Sequence, residues 1–92
     1  MRLIDIDRLK IIENHIHYIK EYEASVVMMD KNARIVRNEI KFAIEYKPLG
    51  DPEIKITFLE TPDYQIDTVL SKMKEKIQKL DKEGTLSDLH KK

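Results

Sequence analysis

The sequence predicts an α+β domain in the order α-β-β-β-α, a three-stranded antiparallel sheet with two helices packed on one face. Three observations carry that prediction. Alternating segments mirror one another around Pro48-Leu49-Gly50-Asp51-Pro52, one apolar stripe at helical spacing runs from Leu9 to Ile19, and another runs from Ile66 to Leu80.

The first helix starts near Asp5 or Asp7, either of which can cap it with a carboxylate oxygen. Leu9, Ile12, Ile16 and Ile19 recur every three or four residues, and Ile11, Tyr18 and Tyr22 widen the stripe, so the helix should end near Glu21–Glu23. A competing reading makes Arg2–Ile6 a short strand, because Ile4 and Ile6 alternate with Asp5. The continuous apolar run Ser25-Val26-Val27-Met28-Met29 is a strand, and Asp30-Lys31-Asn32 turns it, with Asn32 suited to a left-handed backbone. The second strand spans Ala33–Lys47. Ile35 is apolar at an odd position while the later apolar face is even-numbered, which calls for a bulge around Arg37–Glu39.

The mirror then sets the register of the third strand, Glu53–Glu60. Lys47 meets Glu53, Tyr46 meets Ile54, Glu45 meets Lys55, Ile44 meets Ile56, Ala43 meets Thr57 and Phe42 meets Phe58. Ile40, Phe42, Ile44 and Tyr46 share a face with Ile54, Ile56 and Phe58, and opposite-sign charges pair on the other, each pair contributing roughly 0.2–1 kcal/mol. A one-residue slip would turn every one of those apolar side chains to water. Thr61-Pro62-Asp63 reads as a helix start, with a capping oxygen, a preset φ and an acid at the positive end of the dipole. Ile66, Val69, Leu70, Met73, Ile77 and Leu80 form its apolar stripe, and Gly84 is its stop. Residues 1–84 thus make a single domain, and 85–92 a C-terminal turn or frayed tail.

Composition narrows the function classes. Ninety-two residues suffice for one domain. Lys plus Arg number 17 and Asp plus Glu number 17, so the basic excess usual in nucleic-acid binders is missing. The chain has no cysteine, which excludes disulfides, thiolate chemistry and cysteine-ligated zinc. No run approaches the roughly 18 apolar residues of a membrane span. Met1-Arg2-Leu3-Ile4-Asp5 also lacks the apolar core of a signal peptide, so the expected location is the cytoplasm, away from membranes.

The residues that could carry chemistry do not assemble into a site. On a helix His15 and His17 point away from each other, and Glu13 with His17 supplies two ligands where structural zinc takes four. Ser25, Ser71 and Ser87 lie outside any nucleophile-elbow setting. Asp63 and Asp67 share a face at the start of the second helix, where they complement its dipole. Two glycines cannot make a phosphate-cradling loop. The expectation is therefore a protein without catalytic residues, metal or cofactor.

Two binding surfaces stand out instead. Val27, Met29, Ile35, Ala43 and Leu59 can cluster on the sheet face away from the helices, and the strand edge of residues 40–47 looks open, which together predict self-association. Lys72, Lys76 and Lys79, among the five lysines of the second helix, are candidate phosphate contacts. The order α-β-β-β-α is shared with the double-stranded-RNA-binding domain, but Thr61-Pro62-Asp63-Tyr64-Gln65 stands where that family has a lysine cluster. The reading that results is a small non-catalytic accessory protein acting through protein–protein contacts, as a homodimer. The alternative is a nucleic-acid- or ribosome-associated factor using the lysine-bearing helix.

Overall fold

The computed structural model describes residues 1–60 and 66–89. They form a four-stranded antiparallel sheet in the order β1-β2-β3-β4, with β1 at Arg2–Ile12, β2 at Ile19–Met29, β3 at Ile35–Glu45 and β4 at Glu53–Phe58. Two helices follow, α1 at Asp67–Lys82 and the short α2 at Thr85–Leu89. The expected three-stranded sheet with a leading helix is therefore wrong. The segment assigned to the first helix is a β-hairpin, and the minor reading of Arg2–Ile6 as a strand is the correct start of it.

The physical reason lies in the irregular pairing of β1. Six isoleucines among the first 19 residues favour a strand, because branching at Cβ restricts the side chain in a helix. The register shifts twice, between Leu3 and Asp5 and between Asp7 and Lys10, and Arg8 takes φ +54 in the second shift. Leu3, Ile6 and Ile11 then pair with Met28, Val26 and Tyr22 on one face. Their spacings of three and five erase the period of two, and the apolar residues left over recur at three and four. At the hairpin tip Asn14 Oδ1 accepts from the Ile16 N–H at 2.9 Å, and the Asn14 amide donates to Glu21 at 3.1 Å, a polar turn where a helix was expected.

At the turn after β2, Asp30 Oδ1 accepts from the N–H groups of Asn32 and Arg34 at 2.8 and 2.9 Å. That clamp places the left-handed residue at Ala33, φ +61, and not at Asn32. The pairing of β2 with β3 runs without a shift from Ile35 to Glu45, so there is no bulge at Arg37–Glu39; Ile35 is simply an exposed residue of the outer face.

The β3–β4 hairpin keeps the expected faces but slips by two residues. Phe42 pairs with Ile56, Ile40 with Phe58 and Ile44 with Ile54. Pro48 and Pro52 have no N–H to offer the ladder, so pairing stops at Glu45 and Glu53 and the loop opens, while the Tyr46 N–H donates to the Tyr18 carbonyl at 2.7 Å and continues the pairing with the β2 side. The expected charge pairs become diagonal: Lys47 still reaches Glu53 at 3.5 Å, while Glu45 is the residue directly opposite Glu53. Even spacing preserves the core, which is why a slip of two is tolerated where a slip of one is not.

The core lies between one sheet face and α1. Tyr22, Ala24, Val26 and Met28 from β2, Ile40, Phe42 and Ile44 from β3, and Ile54 from β4 are buried against Val69, Met73, Ile77 and Leu80. The expected helix start at Thr61-Pro62-Asp63 lies outside the described residues. Gly84 follows α1 with φ +83 and stops it as expected. Thr85–Leu89, expected as a turn or frayed tail, forms α2, held by Leu86 at 1% exposure. Among the described residues no helix is long and apolar enough to cross a membrane.

Candidate functional site

The helix α1 runs across the sheet from the Met1–Ile4 end towards Tyr46, whose hydroxyl donates to Asp81 at 2.8 Å. Beside the start of β1 this crossing leaves a groove of about 590 Å³. Its apolar floor is Met1, Leu3 and Ile4 from the strand and Val69 from the helix. Four cations surround the floor, Arg2 with Lys72, Lys76 and Lys79, and Glu75 is the single acid in the lining. The lysines recur at i, i+4 and i+7, the spacing of one helix flank, next to the buried stripe of Val69, Met73, Ile77 and Leu80.

Each lysine has a carboxylate neighbour. Lys72 lies 3.7 Å from Glu75, Lys76 3.7 Å from Asp5 and Lys79 3.8 Å from Glu83. All six side chains are partly exposed. Such pairs contribute little in water, so a ligand's anions can replace them at small cost. The floor does hold an exposed apolar residue, since Ile4, the extra residue of the first register shift, is 42% exposed.

A family model, that of the BB_0187 family, matches residues 1–82. The chain belongs to the BB_0187 family. No curated protein and no solved structure matches it. The span that places the chain in the BB_0187 family contains all four strands, α1 and every residue lining the groove, whereas α2 lies beyond it.

The opposite sheet face of this BB_0187-family chain carries a polar cluster. Arg37 on β3 reaches across β2 to Asp7 on β1 with both guanidinium nitrogens, the second bond being 3.2 Å. That hydrogen bond, more than the charge alone, holds the Asp7 carboxyl below its ordinary range. Beneath lies Ser25, fully buried, whose hydroxyl donates to Glu39 at 2.7 Å. The cluster has a satisfied hydroxyl and no histidine partner, so it ties three strands together instead of making a nucleophile. His15 and His17 sit in the exposed loop between β1 and β2, not on a helix, so the geometric argument made for them does not apply. Among the described residues no group of three or more His, Asp or Glu side chains is placed to hold a metal. Asp67 lies in the first turn of α1, and Asp63 is outside the described residues.

The structure brings Lys72, Lys76 and Lys79 together in one groove. It divides the five apolar residues of the sheet face. Met29 is directly opposite Ile35, with Val27 two residues along, so these three adjoin. Ala43, eight residues beyond Ile35, is about 27 Å away along the strand. Leu59 follows β4, its N–H donating to the Glu39 carbonyl at 3.1 Å. The edge of residues 40–45 that looked open is closed by β2 on one side and β4 on the other. Sequence reasoning missed the groove's other wall, Met1–Ile4; the alternation of Ile4 and Ile6 was the signal that could have found it.

Proposed function

We propose that this domain is a non-catalytic accessory protein that binds a partner protein through the groove between β1 and α1. One observation carries the reading: an apolar floor and four cations share one concave surface. Such a surface favours a segment with apolar anchors and acidic flanks. A naked phosphate backbone would use the cations and leave Met1, Leu3 and Ile4 uncovered, so the nucleic-acid alternative fits less of the surface. A chain without cysteine suits a cytoplasmic setting.

The test compares the parent with a Lys72→Glu, Lys76→Glu, Lys79→Glu variant as baits in extracts of the native cells. The parent should retain a protein that salt elutes and ribonuclease does not, and the variant should lose it. Equal retention by both baits contradicts the reading. Retention that ribonuclease abolishes establishes the nucleic-acid alternative.

Self-association is a second reading, favoured by Ile35 at 59% exposure opposite Met29. It uses Ile35 with the half-buried Met29, since Val27 beside them is buried and the strand edge first expected to carry it is occupied. Light scattering should show a dimer that Ile35→Lys dissociates; a parent monomer at high concentration removes this reading.

A further inference from the structure

We infer that the partner enters the groove as an amphipathic α-helix with an acidic flank, an inference that rests on the groove being the binding surface. Two features of this chain separate a helix from a strand as occupant. The first is the broken edge of β1. An edge strand can template an added strand only where its ladder is regular. Here the register shifts at Ile4 and again between Asp7 and Lys10, with Arg8 at φ +54. Only Arg2 and Leu3 precede the first shift, too few to fix the register of an added strand. An occupant that satisfies its own backbone needs no ladder, and a helix does so.

The second feature is the repeat of the cations. Lys72, Lys76 and Lys79 rise about 6 and 4.5 Å along α1, together about 10.5 Å. Acids at i, i+4 and i+7 on a helix laid beside α1 have the same rises and meet all three. Acids on one side of a strand recur every 6.8 Å or so, and three of them span about 13.5 Å, out of step by the third. The wall from Thr68 to Lys79 is about 16 Å long, which three turns of helix match. Apolar residues on the adjoining stripe of that helix would cover Ile4 and Leu3, as in other helix-in-groove complexes.

Three fourteen-residue peptides test this, the first two of one Leu, Glu and Ala composition. One carries its leucines at i, i+3, i+4 and i+7 with glutamates flanking them, one alternates Leu and Glu, and one is the first with a central proline replacing alanine. Each is titrated into the 92-residue chain, with amide chemical shifts locating the site and fluorescence anisotropy giving affinity. The helical peptide should move amides of residues 2–4 and 68–79. The alternating and proline peptides should bind at least about tenfold more weakly, since alternation scatters the leucines around a helix and proline breaks one. Lys72→Glu with Lys79→Glu, shown folded by circular dichroism, should weaken the helical peptide by about tenfold or more. If the alternating peptide binds the groove as tightly as the helical one, the helix inference fails and the groove reading survives. If no acidic peptide moves the groove amides, both fail.

Discussion

At the scale of single residues, the side chains that matter most for stability are those joining the sheet to itself and to α1. Phe42 stacks on Tyr22 with ring centroids 5.1 Å apart, and it is 2% exposed. Phe42→Ala should therefore cost roughly 3–5 kcal/mol, read as a lowered midpoint of urea unfolding. Tyr46 joins sheet to helix through Asp81. Burial, and then that hydrogen bond, raises its phenol well above the ordinary 10.0. A raised value means that the folded state favours the protonated phenol. Its contribution is complete below about pH 10 and is lost as pH rises through the folded value. Tyr46→Phe should cost about 1 kcal/mol at neutral pH and flatten the loss of stability above pH 10 or so. Asp7 behaves oppositely. Arg37 lowers its value, so its contribution is present above the ordinary aspartate range, near 3.9, and disappears as pH falls through the lower folded value. In Arg37→Gln the Asp7 carboxyl, followed by NMR, should titrate at higher pH than in the parent.

At the scale of elements, α1 offers the sharpest contrast between core and surface. Met73→Asp should unfold the domain, because Met73 is fully buried and the carboxylate would have no partner, whereas Lys74→Glu on the exposed face should shift the thermal midpoint very little. Gly84→Ala should cost about 1 kcal/mol: a Cβ there meets nothing within 4 Å, so the cost is the left-handed backbone at φ +83. This helix was legible in the sequence because one uninterrupted period of 3.6 governs it from Val69 to Leu80, Ile66 being the residue just before its first turn. The faces of β3 and β4 were legible for a similar reason, since a period of two survives any even slip. Their exact pairing was not, because registers two residues apart bury the same apolar faces and alternation alone does not choose between them. The first hairpin was misread because two register shifts in β1 replace alternation by spacings that imitate a helix. The candidate site was half legible for the same cause. Lys72, Lys76 and Lys79 could be picked out on α1, but their facing wall, Met1–Ile4, exists only once β1 is recognised as a strand along α1.

At the scale of the whole molecule, the proposed function turns on which surface is suited to a partner. The open sheet face is mostly alternating charge tied down by Arg37 with Asp7 and Ser25 with Glu39. The outer strands are poor templates for edge pairing: β1 is broken by its register shifts, and β4 is six residues long with Glu53 and Lys55 exposed. The groove between β1 and α1 combines exposed apolar surface with concentrated positive charge, and it falls within the span that defines the chain as a member of its family. The central claim, that this groove is the partner surface, is tested most directly by photo-crosslinking in the native cells, with a benzophenone side chain placed at Ile4 in the groove or at Lys41 on the open face. The account predicts a discrete adduct with a second protein from position 4 and none from position 41. An adduct from position 41 alone would contradict it.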